Sequence, residues 1–374
     1  MKKFLLLTAI AVAFTVSGNA AKRRVGFFGP FVTNVDYSTF AAAYTAATAG
    51  DTILVFPGVT NISQTISKKI IVIGPGDWLD PTSTPKGNAN LQAYAGVATV
   101  SSFTFAAGSS GTVIAGLEGG SYYVEDNNIT IMRNRGILIY LAITTLSYSN
   151  LQILENYMVN ISDGGATSSN VTNMNISNNL MYSFSTSPGN TYSGNISNNV
   201  WVYDATLTAA LDGGSSTMSY TGGIELGGGA YLLQNNIFES YTNSSAASNY
   251  NYFIFSNGGN SVFNYNLALQ SATPINWGVG TGNVITPIAN ASSIFAAFPA
   301  IGTTSADARY KLGASSPAAT VGSGSKPIGM FAGTNTYKLG LIPSIPTIYQ
   351  LSSPQGNNPT GSTITIDVST RGNN

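Results

Sequence analysis

The chain reads as an all-β parallel β-helix, a β-solenoid closed at its N-terminal end by one helix, and three observations predict this. The first is a phrase that recurs six times between Asn128 and Gln270: NITIMRNRGIL, NLQILENYMVN, NMNISNNLMYS, SGNISNNVWVY, AYLLQNNIFES and NSVFNYNLALQ. Its fourth position is always apolar (Ile131, Ile153, Ile176, Ile196, Leu233, Phe263), and its seventh is always asparagine (Asn134, Asn156, Asn179, Asn199, Asn236, Asn266). The second is the spacing of those asparagines, 22, 23, 20, 37 and 30 residues, which is the period range of stacked repeats. The third is what each copy contains: a short β-run, the asparagine, then a second apolar run such as Leu180-Met181 or Val200-Trp201. A leucine-rich repeat also carries a periodic asparagine, but its L-x-x-L-x-L-x-x-N frame and helical segments are missing here.

The recurring asparagine has two physical explanations. It sits where the chain bends between strands, and asparagine tolerates the left-handed backbone region better than other non-glycine residues. If successive coils stack one strand spacing apart, roughly 4.8 Å, the amides fall above one another and hydrogen-bond into a ladder. About 22 residues at roughly 3.3 Å each give a contour of about 70 Å, enough for three short strands and their turns.

Composition agrees with this. The chain is 8% charged and contains 41 glycines, no cysteine and no histidine, whereas about a quarter of the residues of a soluble protein are usually charged. A solenoid builds its polar surface from Asn, Ser, Thr and Tyr. The two zeros exclude disulfides, thiolate nucleophiles, imidazole ligands and Ser-His triads.

In chain order, Lys2 and Lys3 precede an apolar run from Phe4 to Val16 and then Ser17-Gly18-Asn19-Ala20-Ala21. This reads as a secretory signal over residues 1–20, with a hydrophobic run too short to span a bilayer. No later apolar stretch is long enough to cross a membrane, so the expected product is exported, to the cell exterior, the outer surface or the periplasm.

Asp36 to Ala49 reads as a helix capped by Asp36 or Ser38, with Phe40, Ala43, Tyr44 and Ala47 on one face and Gly50 at its C-terminal end. Covering the first coil is its expected role, because a solenoid otherwise exposes an apolar end. Asp51 to Phe56, ended by Pro57-Gly58, and Lys68 to Ile73, ended by Gly74-Pro75-Gly76, read as strands.

The run Ala49-Gly50-Asp51-Thr-Ile-Leu-Val-Phe-Pro-Gly58, the IIVIGPG that follows and the Asn-rich coils resemble the secreted right-handed parallel β-helix proteins of Gram-negative bacteria, in the pectin-lyase-like superfamily. The resemblance implies a single-stranded right-handed helix over residues 21–340. Tyr310-Lys-Leu-Gly-Ala-Ser-Ser-Pro317 with Gly322 and Ile328-Gly329 is similar to the closing coil of those proteins. For activity the resemblance implies little, since the superfamily holds lyases, hydrolases and proteins of no known activity. Its pectin-degrading members rely on grouped aspartates with Arg or Lys, or on Asp-Asp and Gly-His-Gly motifs, and the sequence shows neither grouping.

The two long intervals mark insertions, 204–229 and 241–259, and insertions in repeat arrays map to loops that often form the binding face. Residues 341–374 form a Pro-rich segment and an alternating strand, Ser362 to Val368, expected to lie along the solenoid or over its last coil.

Charge placement narrows the chemistry. From Gly136 to Ala308 there is no Lys or Arg, against seven carboxylates, Glu155, Asp163, Asp204, Asp212, Glu225, Glu239 and Asp307, so polyanionic substrates and nucleic acid are disfavoured. Two function classes lead, with a purely structural element of a larger envelope assembly as a third. One is a non-catalytic surface scaffold with neutral polysaccharide as partner, bound by tyrosines in or beside the insertions: Tyr220, Tyr231, Tyr241, Tyr250 and Tyr252. The other is a glycan-cleaving enzyme using Asp204, Asp212, Glu225 and Glu239, which needs paired carboxylates about 5 to 9.5 Å apart. Asp163-Gly-Gly and Asp212-Gly-Gly also read as turns whose aspartate caps backbone amides. No metal and no cofactor is implied.

Overall fold

The computed structural model describes residues 20–26, 35–79, 96–165, 167–187, 189–202, 223–227, 229–239, 254–257, 260–270, 277, 279–287, 291–297, 304–343, 347–352 and 367–371. The predicted signal segment lies outside them except for Ala20. No helix among the described residues is long and apolar enough to cross a membrane.

The chain alternates between two parallel sheets, one of eleven and one of twelve strands among the described residues. A representative pass is Ser147–Ser149 and Gln152–Leu154 in the first sheet, a sharp turn at Asn156, then Tyr157–Ser162 in the second. Each strand pairs in parallel with its counterparts one pass earlier and later, an all-β arrangement consistent with a β-solenoid.

Register stacks like on like. Ile53, Val72, Ile114, Ile131, Ile153, Ile176, Ile196, Leu233 and Phe263 are successive partners along the first sheet, and all are buried. A one-residue slip would turn every one of these side chains outward. Trp201 also faces inward, its ring 5.8 Å from that of Phe238, while its neighbour Val200 faces out.

The seventh-position asparagines are fully buried and linked in sequence. Nδ2 of Asn134 donates to Oδ1 of Asn156 at 3.2 Å, Asn156 to Asn179 at 3.0 Å and Asn179 to Asn199 at 3.0 Å. Asn199 then donates to Asn236 at 3.0 Å, and Asn236 to Asn266 at 2.9 Å. Each main-chain N–H donates to the same oxygen as the side chain beside it. The second amide hydrogen goes to a main-chain carbonyl, Asn199 to that of Ile176 at 2.9 Å. A further rung, Asn283, accepts from Asn266 at 2.9 Å. Sequence comparison misses it because Gly280 stands where the repeat has its apolar residue.

The left-handed backbone belongs to other residues than expected. The residue before each rung has positive φ: Arg133, Glu155, Asn178, Asn198, Asn235 and Tyr265. The rung asparagine is selected for its amide. The first position of the phrase does use the tolerance, since Asn128, Asn150 and Asn173 all have positive φ. These three form a second, more open ladder, Asn150 donating to Asn128 at 2.8 Å and Asn173 to Asn150.

The helix spans Phe40–Ala46, shorter than expected. Its N-cap is Thr39, whose Oγ1 accepts from the Ala42 N–H. Asp36 is instead engaged by the main-chain N–H of Arg24 and by its guanidinium, at 2.8 and 2.9 Å. Gly50 serves the following turn at φ +94°, because the helix has already ended at Ala47 in extended geometry. Phe40, Ala43, Tyr44 and Ala47 are buried as one face, and Phe40 lies 5.6 Å from Phe103 of the second sheet.

Residues 304–343, which include the Tyr310 to Gly329 stretch likened to a closing coil, lie along the outside of the second sheet. Successive strands there present a column of outward apolar residues, Tyr157, Leu180, Val200, Ile237 and Leu267, which would otherwise meet water. Burying each is worth roughly 1.5–3 kcal/mol. The covering segment reaches Tyr157 through the Ala306 carbonyl, returns to the Asn235 carbonyl at Gly329, and ends at Asp77 and Arg133 through the carbonyls of Gly340 and Ile342. Phe295, Ala318, Ile328, Met330, Tyr337 and Leu341 complete this second core. Asn178, one of the left-handed residues, donates to the carbonyls of Met330 at 3.0 Å and Ala332 at 2.6 Å. Adjacent positions of one repeat thus hold the ladder and the cover.

Thr347–Ser352 and Asp367–Arg371 pair as an antiparallel two-stranded sheet. The expected final strand therefore has a partner, and its described part begins at Asp367.

Candidate glycan-binding face

Away from the covered column, the outer face of the second sheet carries two register-aligned rows. One is Ser63, Ser102, Ser121, Leu138, Asn160 and Ser183; the other is Thr65, Thr104, Tyr123, Tyr140, Ser162 and Ser185. They face outward because strand side chains alternate, the inward set being Phe103, Tyr122, Ile139, Ile161 and Phe184. Over these six coils neither row contains a charged residue, and the next register partner of Ser185 is Glu225. The polar side chains engage one another across strands, Ser63 with Ser102 at 2.7 Å and Ser183 Oγ donating to Oδ1 of the buried Asn160 at 2.8 Å.

Within the second row the rings of Tyr123 and Tyr140 are stacked, with centroids 4.9 Å apart and planes within 4°. Strand spacing imposes that distance, since the two are register partners. The pair stands as a ridge on a floor of small hydroxyl residues. On the outer sides of the pair, Tyr123 has Thr104 and Tyr140 has Ser162 as register partner. Both tyrosines are half-buried.

The predicted site residues are placed differently. Tyr231 is buried at 2% exposure, its ring packed edge-on against Phe184 at 5.5 Å, and burial pushes its phenol well above the usual range. It belongs to the core, because strand alternation turns it inward where a loop tyrosine would have been free. Tyr220, Tyr241, Tyr250 and Tyr252, with Asp204 and Asp212, lie outside the described residues. Glu225 and Glu239 are on second-sheet strands, in register with Ser185 and Val202. Asp163 acts as a turn cap: Oδ1 accepts from the Gly165 N–H at 3.1 Å, and Oδ2 accepts from the amides of Ser187 and Asn190.

Folding also assembles a charged cluster that linear spacing conceals. Nη1 of Arg135 is 2.9 Å from Asp77 Oδ2 and 3.2 Å from Glu118 Oε1, and the guanidinium lies 4.8 Å over the Trp78 ring. Burial, with Asp77 close by, raises the Glu118 carboxyl above its usual range despite Arg135. Beside it, Arg133 and Glu155 form a buried pair at 2.8 Å. Both groups receive the end of the covering segment, so their evident work is anchoring. No group of three or more Asp, Glu, His or Cys among the described residues is arranged to hold a metal ion.

No family description matches the chain, and no curated protein and no solved structure matches it.

Proposed function

We propose that this chain is an exported, single-stranded right-handed parallel β-helix of the pectin-lyase-like kind, acting outside the cell as a non-catalytic scaffold that binds neutral polysaccharide. The handedness and kinship rest on the sequence resemblance, and export rests on residues 1–20. The observation that carries the binding reading is the Tyr123–Tyr140 ridge among serine and threonine hydroxyls on the outer face of the second sheet. Aromatic faces pack against the C–H faces of sugars, and hydroxyl and amide groups exchange hydrogen bonds with sugar hydroxyls. Rows without Lys or Arg, leading to Glu225 beyond Ser185, offer no cation to a carboxylated or sulfated glycan.

The test is incubation of the protein lacking residues 1–20 with amorphous cellulose, insoluble starch and insoluble calcium pectate, measuring bound protein in the pellet and new reducing ends in the supernatant. Retention on a neutral polysaccharide without new ends is expected. New ends would replace this reading with the glycan-cleaving one and direct attention to Asp204, Asp212, Glu225 and Glu239. Retention on pectate alone, or on nothing, would defeat it.

A further inference from the structure

The two ends of the solenoid are finished differently. At the N-terminal end the edge strand Lys22–Val25 carries Lys22, Arg23 and Arg24, and the helix Phe40–Ala46 packs on the core beside it. Edge charge and a covering helix both block strand addition. The other end lies at Val284–Pro287, the outermost strand of the second sheet among the described residues. Ile285 continues an inward column, Met181, Trp201, Phe238 and Ala268, whose members are at most 2% exposed. It is itself 43% exposed, because among the described residues no further coil lies over it. The Val284 N–H donates back to the Asn266 carbonyl at 2.8 Å, so strand alternation turns the N–H and C=O of Ile285 to the open side. Asn283 ends the ladder there. Each earlier rung donates its main-chain N–H to the rung that follows, and the N–H of Asn283 has no such rung among the described residues.

Residues 240–306 contain no Asp, Glu, Lys or Arg, so this end can meet a copy of itself without like-charge repulsion. We propose that two copies join tail to tail, the strand Val284–Pro287 pairing antiparallel with its counterpart about a two-fold axis through Ile285. The N–H of each Ile285 then donates to the carbonyl of the other, and the N–H of each Asn283 to the carbonyl of Pro287 in the other copy. Proline, which has no N–H, is tolerated at such an edge. Inward residues stay inward under this axis, so the two Ile285 side chains meet and the two cores become one. The contact continues the strand-to-strand interface already present between successive coils. Head-to-tail stacking would instead set this uncharged edge against Lys22, Arg23, Arg24 and the helix. A two-fold contact uses one patch twice and closes at two copies.

The test is the mass in solution, by light scattering, of the protein lacking residues 1–20, with circular dichroism confirming the fold of each variant. The wild type is expected at twice the chain mass. Ile285→Lys places a charge at the centre of the pairing and is expected to lose the dimer. Ile143→Lys adds the same charge at another position, 44% exposed, and is expected to keep it. The chain has no cysteine, so a single introduced one reports on the contact. Hydrogen-bonded antiparallel partners lie about 5.5 Å apart between Cα atoms, within disulfide range. Ile285→Cys is therefore expected to cross-link into a covalent dimer under mild oxidation, with Ile143→Cys left uncrosslinked. A monomeric wild type, a dimer that survives Ile285→Lys, equal cross-linking of the two cysteine variants, or assemblies that keep growing with concentration would each overturn the tail-to-tail contact.

Discussion

Asn199 and Asn236 are separated by 37 residues of chain, yet the side-chain amide of the first donates to Oδ1 of the second at 3.0 Å and its main-chain N–H donates to the same atom at 2.9 Å. The interval is the longest between rungs, and the ladder crosses it without a change in geometry. Whatever path the inserted residues take, the rung returns to its place. Stacking of the coil therefore tolerates insertion between rungs while enforcing position at them.

Asn199→Ala removes donors to Asn236 and Ile176 and the oxygen that serves Asn179, all in a fully buried site. The expected cost is about 1–3 kcal/mol per group left unpaired, read as a lowered urea midpoint. Asn173→Gly, which keeps the left-handed backbone in the more exposed second ladder, should lower stability by well under 1 kcal/mol. Equal effects would refute burial as the source of the ladder's strength.

Asn178→Gly, which removes the amide and keeps the left-handed backbone, should act on the cover. Its Nδ2 holds the carbonyls of Met330 and Ala332, so the substitution is expected to speed hydrogen exchange in residues 328–342, with amides of the first-sheet strands little changed. A uniform rise across the chain would mean that the cover and coils open as one unit.

The pair Arg133–Glu155 is buried at both ends. Removing one member, as in Glu155→Leu, leaves an uncompensated charge and should cost about 3–5 kcal/mol, while Arg133→Met with Glu155→Leu should recover most of that. Chemical denaturation of the two single variants and the double variant measures the coupling. No recovery in the double variant would show that the arginine's bond to the Ile342 carbonyl matters more than its charge.

Acid should loosen the N-terminal end first. Burial tends to raise the Asp51 carboxyl, but the amides of Thr48 and Ala21 and the Arg23 guanidinium outweigh it and hold the group at about 2. A folded value below the unfolded one contributes stability that is complete above about pH 4 and is lost as pH falls toward the folded value. On the order of 1–2 kcal/mol is involved. Thermal midpoints between neutral and strongly acidic pH should fall less steeply for Asp51→Asn than for the wild type. Parallel curves would remove Asp51 from the acid response.

Much of the repeat was legible because it depends on local spacing. A buried ladder demands one residue type at one position per coil, so asparagine at the seventh place and an apolar residue at the fourth both survive in the linear text. Asn283 was not legible, because only its amide is needed and its flanking apolar residue has become Gly280. The candidate face was hidden for another reason. Tyr123 and Tyr140 come from neighbouring coils, and nothing in either local segment says that the two rings meet. Tyr231 failed in the opposite sense: its place beside an insertion suggested exposure, while strand alternation turned it inward.

By itself the sequence determined the all-β class, the repeat, its period and the scarcity of charge, since each follows from which residues stand at fixed intervals. Tertiary structure alone decided that residues 304–343 lie back over the outward apolar column, that Asp77, Glu118 and Arg135 meet, and that two tyrosines stand as a ridge on a hydroxyl floor. These are contacts between residues far apart in the chain. The ring stack arises when coils stack at a single strand spacing, a translation that brings Tyr123 and Tyr140 together from neighbouring coils.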